Sequence, residues 1–220
     1  MSPKFELLVF DWDGTLMDSQ HEIISCFQWA TRDLSMNVPT ENEIRNIIGL
    51  GMFQAIQAIF PELDTVEKQS PLVEQYRHYY FSPEKPPAHL FDGVFEMLTE
   101  LQRQGYFLAV ATGKGRRGLD QVLARTKLDE VFHYTRCVDE AHSKPHPQML
   151  LDVMDYLGVD DQSTLMIGDT EYDLQMASNA SVKSVAVSCG AHEKERLMMH
   201  NPLTCLNWPH ELENWLSSNH

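Results

Sequence analysis

The sequence predicts an α/β fold, a doubly wound parallel sheet with a small α-helical unit inserted after the first strand. Three observations carry this reading. A short apolar run, Leu7-Leu8-Val9-Phe10, stops abruptly at Asp11-Trp12-Asp13-Gly14, as a buried strand does when it leaves a sheet. Between residues 18 and 82 the apolar periods are helical and no strand pattern is evident. Beyond residue 86 strand and helix patterns take turns, which implies right-handed crossovers, a parallel sheet and helices on both of its faces.

Within the insert, Ile23, Ile24, Phe27, Ala30 and Leu34 fall on one helical stripe. Thr40 and Glu43 have capping-box spacing ahead of Ile44, Ile47 and Ile48. The Gly49-Leu50-Gly51 break leads into a third helix, Met52 to Phe60, ended by Pro61. A fourth helix lies between Asp64 and Phe81, with two readings of its start, because Ser70-Pro71 also has the form of a cap followed by proline at the first helical position. The stretch from Pro83 to Pro87 is a stiff linker. After it come a helix over 92–104 closed by Gly105, a strand over 106–111, and a helix carrying Leu119, Val122 and Leu123 on one face. A weak strand over 133–138 precedes a helix over 147–157 that buries Met149, Leu150, Val153, Met154 and Leu157. A strand over 164–167, a helix over 171–179 and a strand over 182–187 follow, then a helix over 192–199, a short run at 203–206 and a helix over 209–217. Residues 1–15 and 86–220 are thus assigned to the core and 16–85 to the helical cap.

The 220 residues carry 17 Lys and Arg against 32 Asp and Glu, a formal charge of −15. Such a chain repels nucleic acid and anionic membranes over most of its surface, so an anionic substrate must be met by a local cluster of cations. Leu7 to Phe10 is too short for a signal-peptide core, and no run approaches the ~20 apolar residues of a membrane helix. The chain reads as cytoplasmic, as a monomer or a homodimer. Cys26, Cys137, Cys189 and Cys205 are scattered and form no C-x-x-C pair, which suits reduced thiols. His142 and His146 are four apart, but Pro145 and Pro147 disfavour the helix that a zinc pair would need.

Sites in open parallel sheets form at the carboxyl ends of strands. Three predicted strands here end in reactive residues: the first in Asp11 and Asp13, the second in Thr112-Gly113-Lys114, the third in Gly168-Asp169-Thr170 with Asp173 four residues on. Ser143-Lys144-Pro145 sits just before a helix. Taken singly, D-x-D-G is a common turn and Gly-Asp-Thr a common helix cap. Convergence of all four on one rim points instead to phosphoryl transfer. Clustered carboxylates need a cation to stay ionised, and hard oxygen ligands favour Mg²⁺. Asp11, nearest the strand end, suits a nucleophile that forms an aspartyl-phosphate. Asp13 can protonate the leaving oxygen and later take a proton from water. Thr112 and the amides of the glycine-flanked turn offer donors to phosphate oxygens. Lys144 supplies positive charge, and Pro145 restricts its backbone.

Asp11-Trp12-Asp13-Gly14-Thr15, Thr112-Gly113-Lys114, Lys144-Pro145 and Gly168-Asp169-Thr170-Glu171-Tyr172-Asp173 resemble, in order, the four motifs of the haloacid dehalogenase (HAD) superfamily. The resemblance covers nearly the whole chain, and the insert looks like the small cap of the subfamily containing phosphoglycolate phosphatase and β-phosphoglucomutase. It implies that Asp11 is nucleophile and Mg²⁺ ligand and that Asp13 is acid/base and a ligand through its carbonyl. It also implies that Asp169 binds Mg²⁺, with Asp173 supporting it directly or through water. Thr112 and Lys144 complete the catalytic set, and Asp11, Trp12, Asp13, Thr112, Gly113 and Lys144 the phosphate-binding set. Dehalogenases lack the second aspartate that Asp13 provides, and mutases usually carry Glu-Asp where this chain has Gly168-Asp169. The expectation is a Mg²⁺-dependent phosphatase of a small phosphorylated metabolite, phosphoglycolate or a sugar phosphate. A phosphomutase and a low-turnover metabolite- or protein-binding module are the alternatives. Specificity is expected in the cap loop, with Arg45 pairing a substrate carboxylate and Gly49, Leu50 and Gly51 lowering onto the substrate.

Overall fold

The computed structural model describes residues 5–218; residues 1–4 and 219–220, which the expected core segments include, lie outside the described residues. In chain order the elements are β1 (Leu7–Phe10), β2 (Met17–Asp18), α1 (Gln20–Asp33), α2 (Glu41–Arg45), α3 (Met52–Ile59), α4 (Val66–Tyr80) and β3 (His89–Leu90). There follow α5 (Val94–Arg103), β4 (Phe107–Thr112), α6 (Arg116–Thr126), β5 (Tyr134–Cys137), α7 (Gln148–Leu157) and β6 (Thr164–Gly168). The chain continues through α8 (Glu171–Asn179), β7 (Lys183–Val187), α9 (Lys194–Met198), β8 (Cys205–Leu206) and α10 (Leu212–Ser218).

Six strands form one parallel sheet in the order β5-β4-β1-β6-β7-β8. β1 reads as an unbroken apolar run because both of its faces are covered. Leu8 and Phe10 join the layer beneath α5, α6 and α10, with Leu98, Leu119 and Leu212. Leu7 and Val9 join the opposite layer beneath α7 and α8, with Leu150, Val153 and Met176. The chain builds outward from β1 to β4 and β5, then crosses back to β6 on the other side. Strand order therefore reverses at β1, where open α/β sheets place their sites. Phe10 stands level with Val110 and Ile167, so β1, β4 and β6 leave the sheet on the same rim.

The insert packs α1 to α4 around its own apolar cluster, which includes Ile24, Phe27, Ile44, Ile56, Leu72 and Tyr76. The capping box at α2 is present: Thr40 accepts from the Glu43 amide at 3.2 Å, and Glu43 accepts from the Thr40 amide at 2.8 Å. α4 starts at Thr65, whose side chain accepts from the Lys68 amide, so Ser70-Pro71 lies inside the helix and does not open it. Proline this early deprives only the Glu67 carbonyl of its donor, and Glu67 is exposed to water. Leu34 follows the last turn of α1 and is exposed. No strand lies between β2 and β3, in keeping with the strand-free reading of 18–82, but a short antiparallel ribbon that the sequence pattern did not show flanks the region, Met17 pairing with Leu90 and Asp18 with His89. The chain leaves the core through β2 and returns through β3. Among the described residues no helix is long and apolar enough to cross a membrane.

Candidate active site

Asp11 follows β1 directly and is buried, its amide donating to the Ile167 carbonyl at 2.9 Å. The chain then turns tightly: the amides of Leu16 and Met17 both donate to the Trp12 carbonyl, and Gly14 takes a positive φ of 84°. A Cβ at Gly14 would lie 2.3 Å from Asp169 Oδ2, so glycine serves both the turn and the close approach of two motifs. The turn sends the Trp12 indole into the core edge-on to Phe132 and leaves Asp13 beside Asp11.

α8 fixes the opposite wall. Thr170 and Asp173 form a capping box in which Asp173 Oδ2 accepts from the Thr170 amide at 3.0 Å and its hydroxyl at 2.7 Å. Asp173 Oδ1 is left to face Lys144. Asp169 is gripped from two sides, by the Thr15 hydroxyl at Oδ1 and the Ala191 amide at Oδ2, both at 2.7 Å. Thr15 thus has a definite role that its place in the sequence did not disclose. Gly190 lets the loop after β7 come close, since a Cβ there would meet Asp169 Oδ2 at 2.1 Å.

Lys144 joins the two walls. It is buried, precedes a cis peptide bond to Pro145, and lies 2.8 Å from Asp11 Oδ1 and 2.6 Å from Asp173 Oδ1. These are close ion pairs whose geometry falls short of aligned hydrogen bonds. Burial opposes the charge on Lys144, but Asp11 and Asp173 outweigh it and hold the proton more firmly than usual. Burial lifts Asp11 to about 7 against the pull of Lys144, with Asp173 and Asp13 adding to the rise. Burial likewise pushes Asp169 well above the ordinary carboxylate range, reinforced by Asp11 and Asp173.

Asp11, Asp169 and Asp173 each offer an oxygen within 4.8 Å of the others. Three carboxyl groups against one ammonium cannot all ionise readily in a buried space unless a further cation joins them, and Asp11 Oδ2 has no hydrogen-bond partner. Hard, converging oxygens with uncompensated charge suit a small divalent cation such as Mg²⁺. Asp169 and Asp173 each have partners at both oxygens, whereas Asp11 Oδ2 has none.

Above this floor lies a cavity of about 410 Å³ between core and insert, bordered by Asp11, Asp13, Thr112, Gly113 and Lys114 below and by Gly49 and Leu50 above. The insert is docked on the core. The Gly51 amide donates to Ser143 Oγ at 2.7 Å, and Tyr172 donates to the Asn46 carbonyl at 2.7 Å. A Cβ on Gly113 would lie 2.6 Å from the Gly49 carbonyl oxygen, so backbone meets backbone here. Gly113→Ala is expected to push the loop off its seat and lower kcat/KM by about ten- to a hundredfold. Unchanged steady-state kinetics would show that this contact is not needed.

Most of the anticipated residues meet at this place, but Arg45 does not. It stands next to Ile44, the buried face of α2, and so points to solvent, where it pairs with Glu41 at 3.7 Å and takes no part in lining the cavity. Gly51 touches the core and not the cavity. Two participants, Lys114 and Tyr80, had no assigned role. Lys114 lies 2.9 Å from Asp13 Oδ2 and donates to the Tyr80 hydroxyl at 2.6 Å, linking core to insert. Lys85, paired with buried Glu22, lies 4.2 Å from the Tyr80 ring centroid. The available signals were the position of Lys114 directly after Thr112-Gly113 and the i, i+4 series Leu72, Tyr76, Tyr80 on α4.

The class this arrangement defines is a hydrolase with a parallel α/β core, a helical cap and an aspartate at the end of its first strand. The family follows from comparison. Residues 8–187 match the family described as haloacid dehalogenase-like hydrolase, and the chain belongs to that family. A Dickeya dadantii protein named "Probable phosphatase IndB" is 38% identical over 199 residues, covering 89% of this chain and 86% of that protein. The pyrophosphatase PpaX of Bacillus cereus is 29% identical over 200 residues, covering 90% of each. A Haemophilus somnus crystal structure described as a predicted phosphoglycolate phosphatase superposes with a TM-score of 0.86 at 23% identity, over 98% of this chain and 99% of that one, a likeness of fold.

Proposed function

We propose that this hydrolase is a Mg²⁺-dependent, cytoplasmic phosphatase of a small phosphorylated metabolite, acting through an aspartyl-phosphate on Asp11. The observation that carries the reading is Asp11 Oδ2: a buried carboxylate oxygen without a hydrogen bond, on a residue that borders the cavity and is fixed through its other oxygen by Lys144. The phosphatase name of the Dickeya relative supports it.

In the first step Asp11 Oδ2 attacks phosphorus, the bond from phosphorus to the ester oxygen breaks, and Asp13 gives that oxygen a proton. In the second step Asp13 takes a proton from water, the water oxygen attacks phosphorus, and the bond to Asp11 breaks. Ester and water become alcohol and inorganic phosphate, and both aspartates return to their starting states. Ser19 donates to Asp13 Oδ1 at 2.7 Å and Lys114 pairs with Oδ2, which holds the carboxyl toward the cavity. Thr112 and the amides of its turn are assigned to phosphate oxygens. Asp11, Asp169 and the Asp13 carbonyl would hold Mg²⁺, with Asp173 contributing charge. When bound, the ion neutralises phosphate charge and aligns it for in-line attack. Hydrolysis is favoured over mutase chemistry at Gly168, where even a Cβ would lie 2.4 Å from Asp173 Cβ, leaving no room for the glutamate usual in mutases.

The test is release of p-nitrophenol from p-nitrophenyl phosphate. Release should require Mg²⁺, stop with EDTA and return with excess MgCl₂. No release above background at any Mg²⁺ concentration would overturn the proposal.

A further inference from the structure

The groups of the core that border the cavity serve the phosphoryl end, so the walls supplied by the insert must read the rest of the substrate. Those walls are apolar. Ile23, Phe27, Ile47, Leu50, Tyr76 and Phe81 line the cavity and also belong to the insert's own apolar cluster. The cavity therefore reaches into the interior of the insert. Phe27 and Tyr76 meet edge to face at 6.2 Å, and Tyr76 stacks with Tyr80 at 5.7 Å, giving a chamber walled by rings.

The polar side chains around it are nearly all engaged. Lys114 is taken by Asp13, and the Tyr80 hydroxyl by Lys114. Arg117 lays its guanidinium over the Phe81 ring at 4.1 Å. Arg77 and Arg117 are exposed, which puts them at the mouth, where they can draw in a phosphate dianion. Of the insert's aromatic walls, the Tyr76 hydroxyl has no hydrogen-bond partner among the described residues. A sugar would bring several hydroxyls into a chamber whose buried insert walls offer one free hydroxyl, and a glycolate carboxylate would find its cations, Arg77 and Arg117, only at the mouth. Each polar group left unpaired there is penalised, whereas an apolar ring is rewarded by the area it removes from water. A volume of about 410 Å³ also exceeds what glycolate would fill and falls in the range of pockets that bury ring-sized ligands.

We infer that the substrate is a phosphate monoester whose leaving group is an apolar, ring-bearing alcohol seated among Phe27, Leu50, Tyr76 and Phe81. The inference rests on the phosphatase reading and moves the substrate away from the phosphoglycolate and sugar phosphates that the family resemblance suggests.

The experiment compares benzyl phosphate and 2-naphthylmethyl phosphate with phosphoglycolate and ribose 5-phosphate, all of which leave as primary alcohols. Acetyl phosphate, with almost no leaving group to recognise, reports phosphatase chemistry separately. The benzyl-type esters should exceed both polar esters in kcat/KM by about tenfold or more. Benzylphosphonate, which is not hydrolysed, should inhibit acetyl phosphate turnover with a Ki at least about tenfold below that of methylphosphonate. Leu50→Asn should narrow both ratios. Acetyl phosphate turnover combined with equal or better use of the polar esters would overturn the substrate class and leave the phosphatase reading standing. No Mg²⁺-dependent turnover of acetyl phosphate or of any of these esters would overturn both.

Discussion

Asp11→Asn is expected to fold, and its phosphatase turnover should fall by about four orders of magnitude or more. The amide is close in shape to the carboxylate but cannot form the acyl phosphate. Folding should survive because Lys144 keeps its second partner, Asp173, at 2.6 Å. Stability without metal should even rise. Burial, Asp173 and Asp13 lift Asp11 from 3.8 to about 7, so its anionic form destabilises the fold. That cost is complete above about pH 7 and fades as the pH falls toward the ordinary aspartate range, near ~4. A thermal melt in EDTA at pH 8 should place Asp11→Asn at or above the wild-type Tm, while turnover in Mg²⁺ is lost. Retained turnover would remove Asp11 from the chemistry altogether.

The parts of this molecule legible in the sequence are those whose cause is local. β1 shows itself because both of its faces are buried, and the α2 cap because Thr40 and Glu43 are three residues apart. The catalytic rim could be read because each of its strands ends in its own reactive residues, and β1 lies between the other two. What escaped depends on distances the sequence does not encode locally. Two-residue strands such as Met17–Asp18 and His89–Leu90 are too short to show a period. The grip of Ala191 on Asp169 joins residues 22 apart, and that of Tyr80 on Lys114 joins residues 34 apart. Arg45 lies outside the cavity lining for a related reason. Its neighbour Ile44 takes the buried position on α2, and one residue along a helix turns the side chain by about 100°. The charge count was informative in a different way. At −15 it demanded a local cation, but the cation most deeply placed, Lys144, is consumed by the cluster it supports.

That consumption makes Lys144→Met the harshest structural test of the site. The substitution keeps an unbranched side chain of similar length and removes only the ammonium. Asp11, Asp169 and Asp173, with oxygens within 4.8 Å of one another, would then share a buried space with no cation of the protein's own. Stripping one partner from a buried ion pair costs about 3–5 kcal/mol, because the other charge is left uncompensated. For a chain of this size each kcal/mol corresponds to roughly 2–4 °C in Tm, so the metal-free variant should melt roughly 6–20 °C below wild type. Lys144→Arg should not restore it, since a planar guanidinium cannot occupy the enclosed point between Asp11 Oδ1 and Asp173 Oδ1. Mg²⁺ supplies the missing charge from solution. Binding to the native state alone stabilises it by mass action, and titration should therefore raise the Tm of Lys144→Met further than that of wild type. Turnover should stay depressed in saturating Mg²⁺, because Asp11 has lost the contact that fixes its Oδ1. A variant that melted with wild type in EDTA and gained nothing from Mg²⁺ would show that Lys144 does not hold these carboxylates together.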